Sequence, residues 1–186
     1  MFTNRKHLDP HCSPLSAMGF LSIFAETSHQ LNRIFMGILD FLKKKSSPAK
    51  DISKDELEKQ IRALDRLSQI FRNSPFLKVQ GAGRSEKMAS VLVSYKCIFA
   101  YFYGTVYDYG DPLQFIGKDE GIRFLLTTQG LEQPATRGNI LRALPANWQD
   151  TMKVVDSLRI AEPVEFDAIQ SEIDGIGRSI SIFSRK

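Results

Sequence analysis

The stretch that decides the fold class spans residues 53–73 and reads SKDELEKQIRALDRLSQIFRN. Its first residue, Ser53, is followed three positions later by Glu56, which is the capping-box pattern of a helix N-terminus. Apolar residues then recur every three or four positions, as on one face of an amphipathic helix: Leu57, Ile61, Leu64, Leu67 and Phe71. We predict a helix that ends near Asn73, because Pro75 cannot continue it.

Two further helical patterns lie on either side of this stretch. Residues 16–45 carry an apolar stripe at helical spacing, formed by Phe20, Phe24, Leu31, Ile34, Ile38 and Phe41. The short connection to Ser53 predicts that this helix and the next form an antiparallel hairpin over residues 16–73. Residues 85–103 predict a third, central helix. Together these patterns predict an all-α protein, a multi-helix bundle of about five to seven helices with an N-terminal helical hairpin.

The middle of the chain gives weaker local signals. Residues 76–80 fit either a short strand or an extended linker, and residues 122–128 fit a strand or, as we prefer, a short helix. Glycines and a proline interrupt the apolar period between Gly104 and Gly121. These interruptions predict a long loop, and long ordered loops are often functional.

A proline divides the next helical region. Residues 136–144 predict a short helix that Pro145 ends, because proline lacks the N–H that a helix interior requires. Asn147 is a suitable cap for a further helix. That helix would place four apolar residues on one face, namely Trp148, Met152, Val155 and Leu158.

The final segment has the most regular pattern in the chain. Its apolar residues follow one another at spacings of 3, 4, 3, 4 and 3, and we call this set the seam: Phe166, Ile169, Ile173, Ile176, Ile180 and Phe183. This is the period of a coiled-coil contact face. Gly175 and Gly177 each weaken an isolated helix by about 1 kcal/mol, so the seam must pack on its own domain or on another chain.

These elements divide the chain into three parts. Residues 1–15 predict a flexible leader because prolines break them and no apolar period is visible. We predict that residues 16–162 form the helical domain. Residues 163–186 predict a C-terminal amphipathic helix, either docked or partner-binding. Residues 14–25 resemble a weak signal-peptide core, but the first turns of an amphipathic helix fit them better.

The composition is that of an ordinary globular protein. Hydrophobic residues make up 42% and charged residues 25% of the 186, so the chain can bury a sizeable core. A net charge of +4 permits contact with nucleic acid but does not favour it, since dedicated binders cluster their basic residues. Two unpaired cysteines, Cys12 and Cys97, predict a cytoplasmic, reducing location. No run approaches the roughly 18–20 apolar residues of a transmembrane span, so none is predicted.

One turn could bind an anion. Gly81, Gly83, Arg84 and Ser85 precede a predicted helix, whose free N–H groups and dipole favour negative charge. The dinucleotide fingerprint requires a third glycine where this chain has Glu86, and the Walker pattern is also absent from the sequence. A flexible turn followed by a serine cap is the interpretation that we prefer.

The remaining constellations do not form a catalytic or metal site by spacing. The run that contains Tyr103, Tyr107 and Tyr109 fits helix core that continues into an aromatic loop. As a surface, these tyrosines are better suited to anchoring a protein contact than to stacking bases, because acidic residues lie beside them. The histidines and cysteine of the leader lack an ordered frame for zinc. The loop carboxylates, Asp108, Asp111, Asp119 and Glu120, do not match a calcium loop. The basic residues outside the leader are dispersed, among them Lys43, Lys44, Lys45, Arg62, Arg66, Arg72, Arg84, Arg137 and Arg142.

We therefore expect a non-enzymatic helical protein-interaction module: an adaptor, chaperone or assembly subunit, with no cofactor. Its partner would be another protein or a second copy, contacted through the seam and the tyrosines. Two alternatives stay open. One is a nucleic-acid-binding protein that uses the dispersed arginines and lysines. The other is a nucleotide- or phosphate-binding protein that acts at the turn of residues 81–85.

Overall fold

A computed structural model describes residues 51–81, 83–162 and 166–186, and this part of the chain is all-α, without a strand. Six α-helices pack together: α1 Lys54–Asn73, α2 Pro75–Val79, α3 Arg84–Tyr101, α4 Gly121–Glu132, α5 Pro134–Ala161 and α6 Gln170–Phe183. The predicted all-α class is confirmed. The predicted leader and the first arm of the N-terminal hairpin lie outside the described residues.

Helix α1 begins and ends where its sequence predicts. The Ser53 hydroxyl accepts a hydrogen bond from the Glu56 backbone N–H at 3.2 Å, which satisfies one of the N–H groups left free at the helix start. The helix ends at Asn73, before Pro75. Its predicted apolar face is fully buried and packs mainly against α3. Local capping and a helical apolar period therefore suffice to place this element.

The end of α6 meets the end of α3 through aromatic rings. The Phe183 ring of α6 stacks on Phe102 at 3.8 Å between centroids and meets Phe99 edge-on at 4.9 Å. Helix α6 also packs on α1, where Gly175 allows close approach: a Cβ there would lie 2.8 Å from the side-chain nitrogen of Gln60. The glycine that weakens the isolated helix thus favours its packing.

A π-helical turn over Phe102–Val106 continues α3 into the predicted loop. The chain then folds back so that Gly104 meets Pro112, and a Cβ on Gly104 would lie 2.5 Å from the proline Cδ. Short 3₁₀ turns over Pro112–Phe115 and Lys118–Glu120 lead into α4. The predicted long loop between Gly104 and Gly121 therefore contains short helical turns and folds back on itself.

Three segments with weak local signals are helical. Residues 76–80 fall mainly in α2 and not in a strand or an extended linker, since the Ser74 hydroxyl accepts from the Leu77 N–H and starts a helical turn. The preferred helix over residues 122–128 is confirmed as part of α4. The predicted break at Pro145 is wrong, because α5 runs through it to Ala161.

Neighbouring packing explains how α5 tolerates Pro145. A proline at this position cannot donate to the carbonyl four residues before it, which belongs to Leu141. The Ser184 hydroxyl, just beyond α6, donates to that carbonyl at 2.9 Å. A side chain distant in sequence therefore supplies the hydrogen bond that the proline cannot make, and the helix continues.

One helical stretch of the described residues, Arg84–Val106, has the length and composition to cross a membrane, with a mean hydropathy of 1.2. A count of uninterrupted apolar residues misses it because Lys96 breaks the run. In the structure 67% of the stretch is buried inside the chain, and a buried core helix meets the same criterion. Its length and composition are therefore those expected of the central helix of this core.

Candidate functional site

The predicted contact tyrosines pack against the N-terminal end of α1 and make hydrogen bonds within the chain. Tyr103 donates to the Glu58 carboxylate at 2.8 Å, and Tyr109 donates to the Ile52 backbone carbonyl at 2.5 Å. Tyr103 is 1% exposed and packs edge-on against the Phe115 ring. These phenols hold the chain on either side of the α1 cap.

Tyr107 is the centre of a second internal contact. Its hydroxyl donates to Asp51 at 2.5 Å and accepts from the Lys186 ammonium at 3.1 Å, and that ammonium lies 4.5 Å from the ring centroid. Burial, followed by the Asp51 carboxylate, raises the pKa of Tyr107. Burial alone would raise the pKa of Asp51, but the Tyr107 and Lys186 contacts outweigh it and lower that pKa. Because Tyr107 is only 2% exposed, partner contact through it stays a prediction.

The seam is also placed against the chain's own helices. Its six side chains are between 0% and 3% exposed: Phe166, Ile169, Ile173, Ile176, Ile180 and Phe183. Helix α6 packs on α1 and α5. The structure therefore leaves no exposed apolar area on the seam, and its contact with a partner stays a prediction.

The glycine turn has the backbone freedom that its sequence predicts. Gly83 has a φ of +74°, a left-handed conformation that favours glycine, and it rather than Ser85 occupies the N-cap of α3. Ser85 is buried in the first turn, whereas Arg84 is exposed. The predicted serine cap is therefore wrong, and anion binding by Gly81, Gly83, Arg84 and Ser85 stays a prediction.

A charged cleft of about 560 Å³ opens beside the first turns of α3. One wall comes from the end of α1 and from α3, and the other from the 3₁₀ turn of residues 118–120 and the start of α4. We call it the α3–α4 cleft, and its lining consists of Arg72, Glu86, Lys87, Ser90, Val93, Gly117, Lys118, Asp119, Glu120 and Arg123. Four of these side chains are cationic and three are anionic.

The ion pairs of the cleft use most of its carboxylates. Arg72 pairs with Glu86 at 3.2 Å, and both groups are largely exposed. Glu120 accepts from the Lys96 ammonium at 2.8 Å. Asp119 is the one lining carboxylate without a cationic partner among the described residues.

Three of the four lining cations have no carboxylate partner among the described residues. No carboxylate of the described residues lies within ion-pair distance of Lys87, Lys118 or Arg123. The Arg123 guanidinium is held by donating one N–H to the Ser90 backbone carbonyl. A guanidinium has five N–H donors, so the remainder are available to a ligand. The unpaired charges of the lining are thus three positive and one negative.

Lys96 lies in α3, three residues after Val93 of the cleft lining. It donates to Asp65 at 2.7 Å as well as to Glu120, and its side chain is 8% exposed. Burial would lower the pKa of Lys96, but the two carboxylate hydrogen bonds outweigh it and raise that pKa. The ammonium therefore stays charged near neutral pH and neutralises Glu120; it is a structural cation and not a candidate nucleophile or base.

Sequence reasoning missed this cleft because its charges come from four separate elements. Arg72 is one of many dispersed basic residues in the sequence, and Asp119 and Glu120 match no calcium-loop spacing. The other dispersed arginines do not line the cleft: Arg62, Arg66, Arg84, Arg137 and Arg142. No group of three potential metal ligands occurs among the described residues. The chemistry that the cleft offers is therefore charge recognition.

A second surface feature adjoins the cleft. Helix α4 exposes Ile122 by 74% and Leu126 by 64%, and these residues lie one turn apart on the same face. Arg123 of the cleft lies in the same turn as Ile122. This pair is the largest cluster of exposed aliphatic side chains that one helix of the described residues carries.

Comparison with known proteins gives no relative: no protein-family model matches the chain, and no curated protein or solved structure matches it either. Inference about function therefore depends on surface chemistry. The two features that bear on it are the α3–α4 cleft and the exposed face of α4.

Proposed function

We propose that this chain is a non-enzymatic helical interaction module that contacts another protein through the outer face of α4. The single observation behind the proposal is the exposure of Ile122 and Leu126 one turn apart. A helix presents such a pair to a partner groove as adjacent anchors on one stripe. Gln129 is also exposed and lies three residues after Leu126 on this helix, and an apolar centre with a polar rim is the usual anatomy of an interface.

The size of this surface limits the affinity that it can support. Burying the two aliphatic side chains contributes about 3 kcal/mol in total. A micromolar complex requires about 8 kcal/mol. The partner must therefore also contact the polar rim, and the resulting complex is expected to be transient rather than obligate.

The proposal places the contact on α4 because the other predicted surfaces are covered. The seam and the buried tyrosines already pack against the chain itself. A partner that used them would have to displace α6 or the π-helical turn from the core. The face of α4 requires no such rearrangement.

The test is a double substitution, Ile122→Glu with Leu126→Glu, compared with Ile160→Glu. Ile160 lies at the end of α5 and is 90% exposed, so its replacement introduces the same chemistry at another place. Proteins cross-linked to the tagged chain in its native cells would be quantified by mass spectrometry for each variant. Sedimentation velocity over a range of concentrations would detect a second copy as the partner.

We expect the partner signal to fall at least tenfold in the α4 double variant and to stay unchanged in the Ile160→Glu control. Thermal midpoints that agree within a few degrees would show that all variants fold. Equal capture by the wild type and by the α4 double variant would overturn the proposal, and so would the absence of any partner or self-association.

A further inference from the structure

We propose that the α3–α4 cleft binds a small anion that carries phosphate groups. The proposal is independent of the protein partner of α4. It depends on the charges that remain after the internal ion pairs are assigned. Lys87, Lys118 and Arg123 are unpaired and line one cavity, opposed by the single unpaired carboxylate of Asp119.

Arg123 is the best-positioned of these cations. One N–H of its guanidinium donates to the Ser90 carbonyl, which fixes the side chain across the gap between α4 and α3. No other hydrogen bond of this guanidinium is formed within the described residues. Its remaining donors form a planar fork that matches two phosphate oxygens, and fixing the fork in advance lowers the entropic cost of binding.

Lys87 and Lys118 face the cleft from opposite walls. Lys87 lies in the first turn of α3 and Lys118 begins the 3₁₀ turn before α4. Both are exposed side chains and can reach a ligand as flexible point charges. A multiply charged anion between the walls would contact both, whereas a singly charged one would gain less.

The cleft walls limit the class of the anion. Val93 is the one fully apolar side chain in the lining, which argues against a largely apolar ligand. A volume of about 560 Å³ is within the range of small-molecule sites. The three unpaired cations line this one cavity, and the other dispersed arginines lie outside it, so an extended polyanion would gain few further contacts. A compact phosphorylated molecule therefore fits better than a nucleic-acid strand.

Lys96 stabilises the proposed site without lining it. Its ammonium neutralises Glu120, which would otherwise present a second unpaired carboxylate to the ligand. Because Lys96 is also bound to Asp65, its position is fixed between α1 and the start of α4. The anion would therefore bind against walls whose relative position is already set.

The test is isothermal titration of the full chain with sodium pyrophosphate, against sodium chloride of equal ionic strength. Two cleft variants are compared with the wild type: Arg123→Gln, and Lys87→Gln with Lys118→Gln. The matched control is Lys54→Gln with Lys59→Gln, which removes the same charge from exposed residues of α1 outside the cleft. Arg84→Gln separates the cleft from the glycine turn.

We expect saturable binding of pyrophosphate that weakens at least tenfold in both cleft variants. Binding should change less than twofold in the α1 control and in Arg84→Gln. The lysine variant keeps the test valid if Arg123→Gln perturbs folding. No heat beyond the chloride blank, equal loss in the α1 control, or loss in Arg84→Gln alone would overturn the proposal. So would a single-stranded oligonucleotide that binds more tightly than pyrophosphate at physiological salt. Retained pyrophosphate binding in an Ile122→Ser, Leu126→Ser variant, which adds no charge beside Arg123, would separate this result from the fate of the protein-contact proposal.

Discussion

Replacing Ser184 by alanine should destabilise the protein because of a proline elsewhere in the chain. Pro145 leaves the Leu141 carbonyl without its helical donor, and the Ser184 hydroxyl donates to that carbonyl at 2.9 Å. The same hydroxyl lies 2.8 Å from the Ile180 carbonyl, which already accepts from the Ser184 backbone N–H at 3.0 Å. The Leu141 carbonyl, on a buried residue, therefore depends more on the hydroxyl.

The magnitude follows from the hydrogen bond that is lost. A net protein hydrogen bond contributes about 1 kcal/mol, and a carbonyl left unsatisfied in a half-buried place raises the loss to about 1–2 kcal/mol. In a Pro145→Ala background the backbone N–H of residue 145 can donate to Leu141 again. There, Ser184→Ala should cost less than about 0.5 kcal/mol, so the coupling energy between the two positions is about 1 kcal/mol.

Urea unfolding of the four proteins of this double-mutant cycle would measure the coupling. For a chain of this size, 1 kcal/mol corresponds to a midpoint change of about 0.5 M urea or about 4 °C. Ser181→Ala is the control, because its hydroxyl donates to the Gly177 carbonyl on the exposed side of α6. The reasoning is refuted if Ser184→Ala has the same effect in both backgrounds, or if the Ser181 control shows equal coupling.

Three further predictions follow from buried contacts. Gly104→Ala should lower the free energy of unfolding by about 2 kcal/mol, because the new Cβ would lie 2.5 Å from a ring carbon of Pro112. Gly138→Ala, whose new Cβ would meet only the end of the Arg142 side chain, at 3.9 Å, should raise that free energy by about 0.5–1 kcal/mol in the same denaturation assay, and equal effects would contradict the packing argument. Because the pKa of Lys96 is raised in the folded protein, its charge stabilises the fold fully below the ordinary pKa of 10.5. This stabilisation is lost as pH rises through the folded-state pKa. Melting midpoints measured from pH 10 to pH 12 should therefore fall less steeply in Lys96→Met than in the wild type; parallel curves would exclude this residue as the cause. Burial, with a smaller contribution from a nearby carboxylate, raises the pKa of the Cys97 thiol to about 12, so peptide mass spectrometry after iodoacetamide treatment at pH 8 should find it modified only in denaturant.

Elements whose signals lie within a few residues could be predicted before the structure was known. Ser53 and Glu56 mark the start of α1, and Pro75 marks its end, because capping and proline sterics act within one turn. The regular spacing of the seam predicted an amphipathic final helix that requires a neighbour. Helical periods in several segments together predicted the all-α class.

Only the tertiary structure decided which neighbours those elements have. It placed Ser184 beside the orphaned carbonyl before Pro145, and this contact across the sequence makes one long helix where local rules predict two. It covered the seam with the chain's own helices, although the pattern fits a partner equally well. It also brought charges from α1, α3, a 3₁₀ turn and α4 around one cleft. Such arrangements depend on long-range packing and on hydrogen bonds between distant residues, and no local window of the sequence contains them.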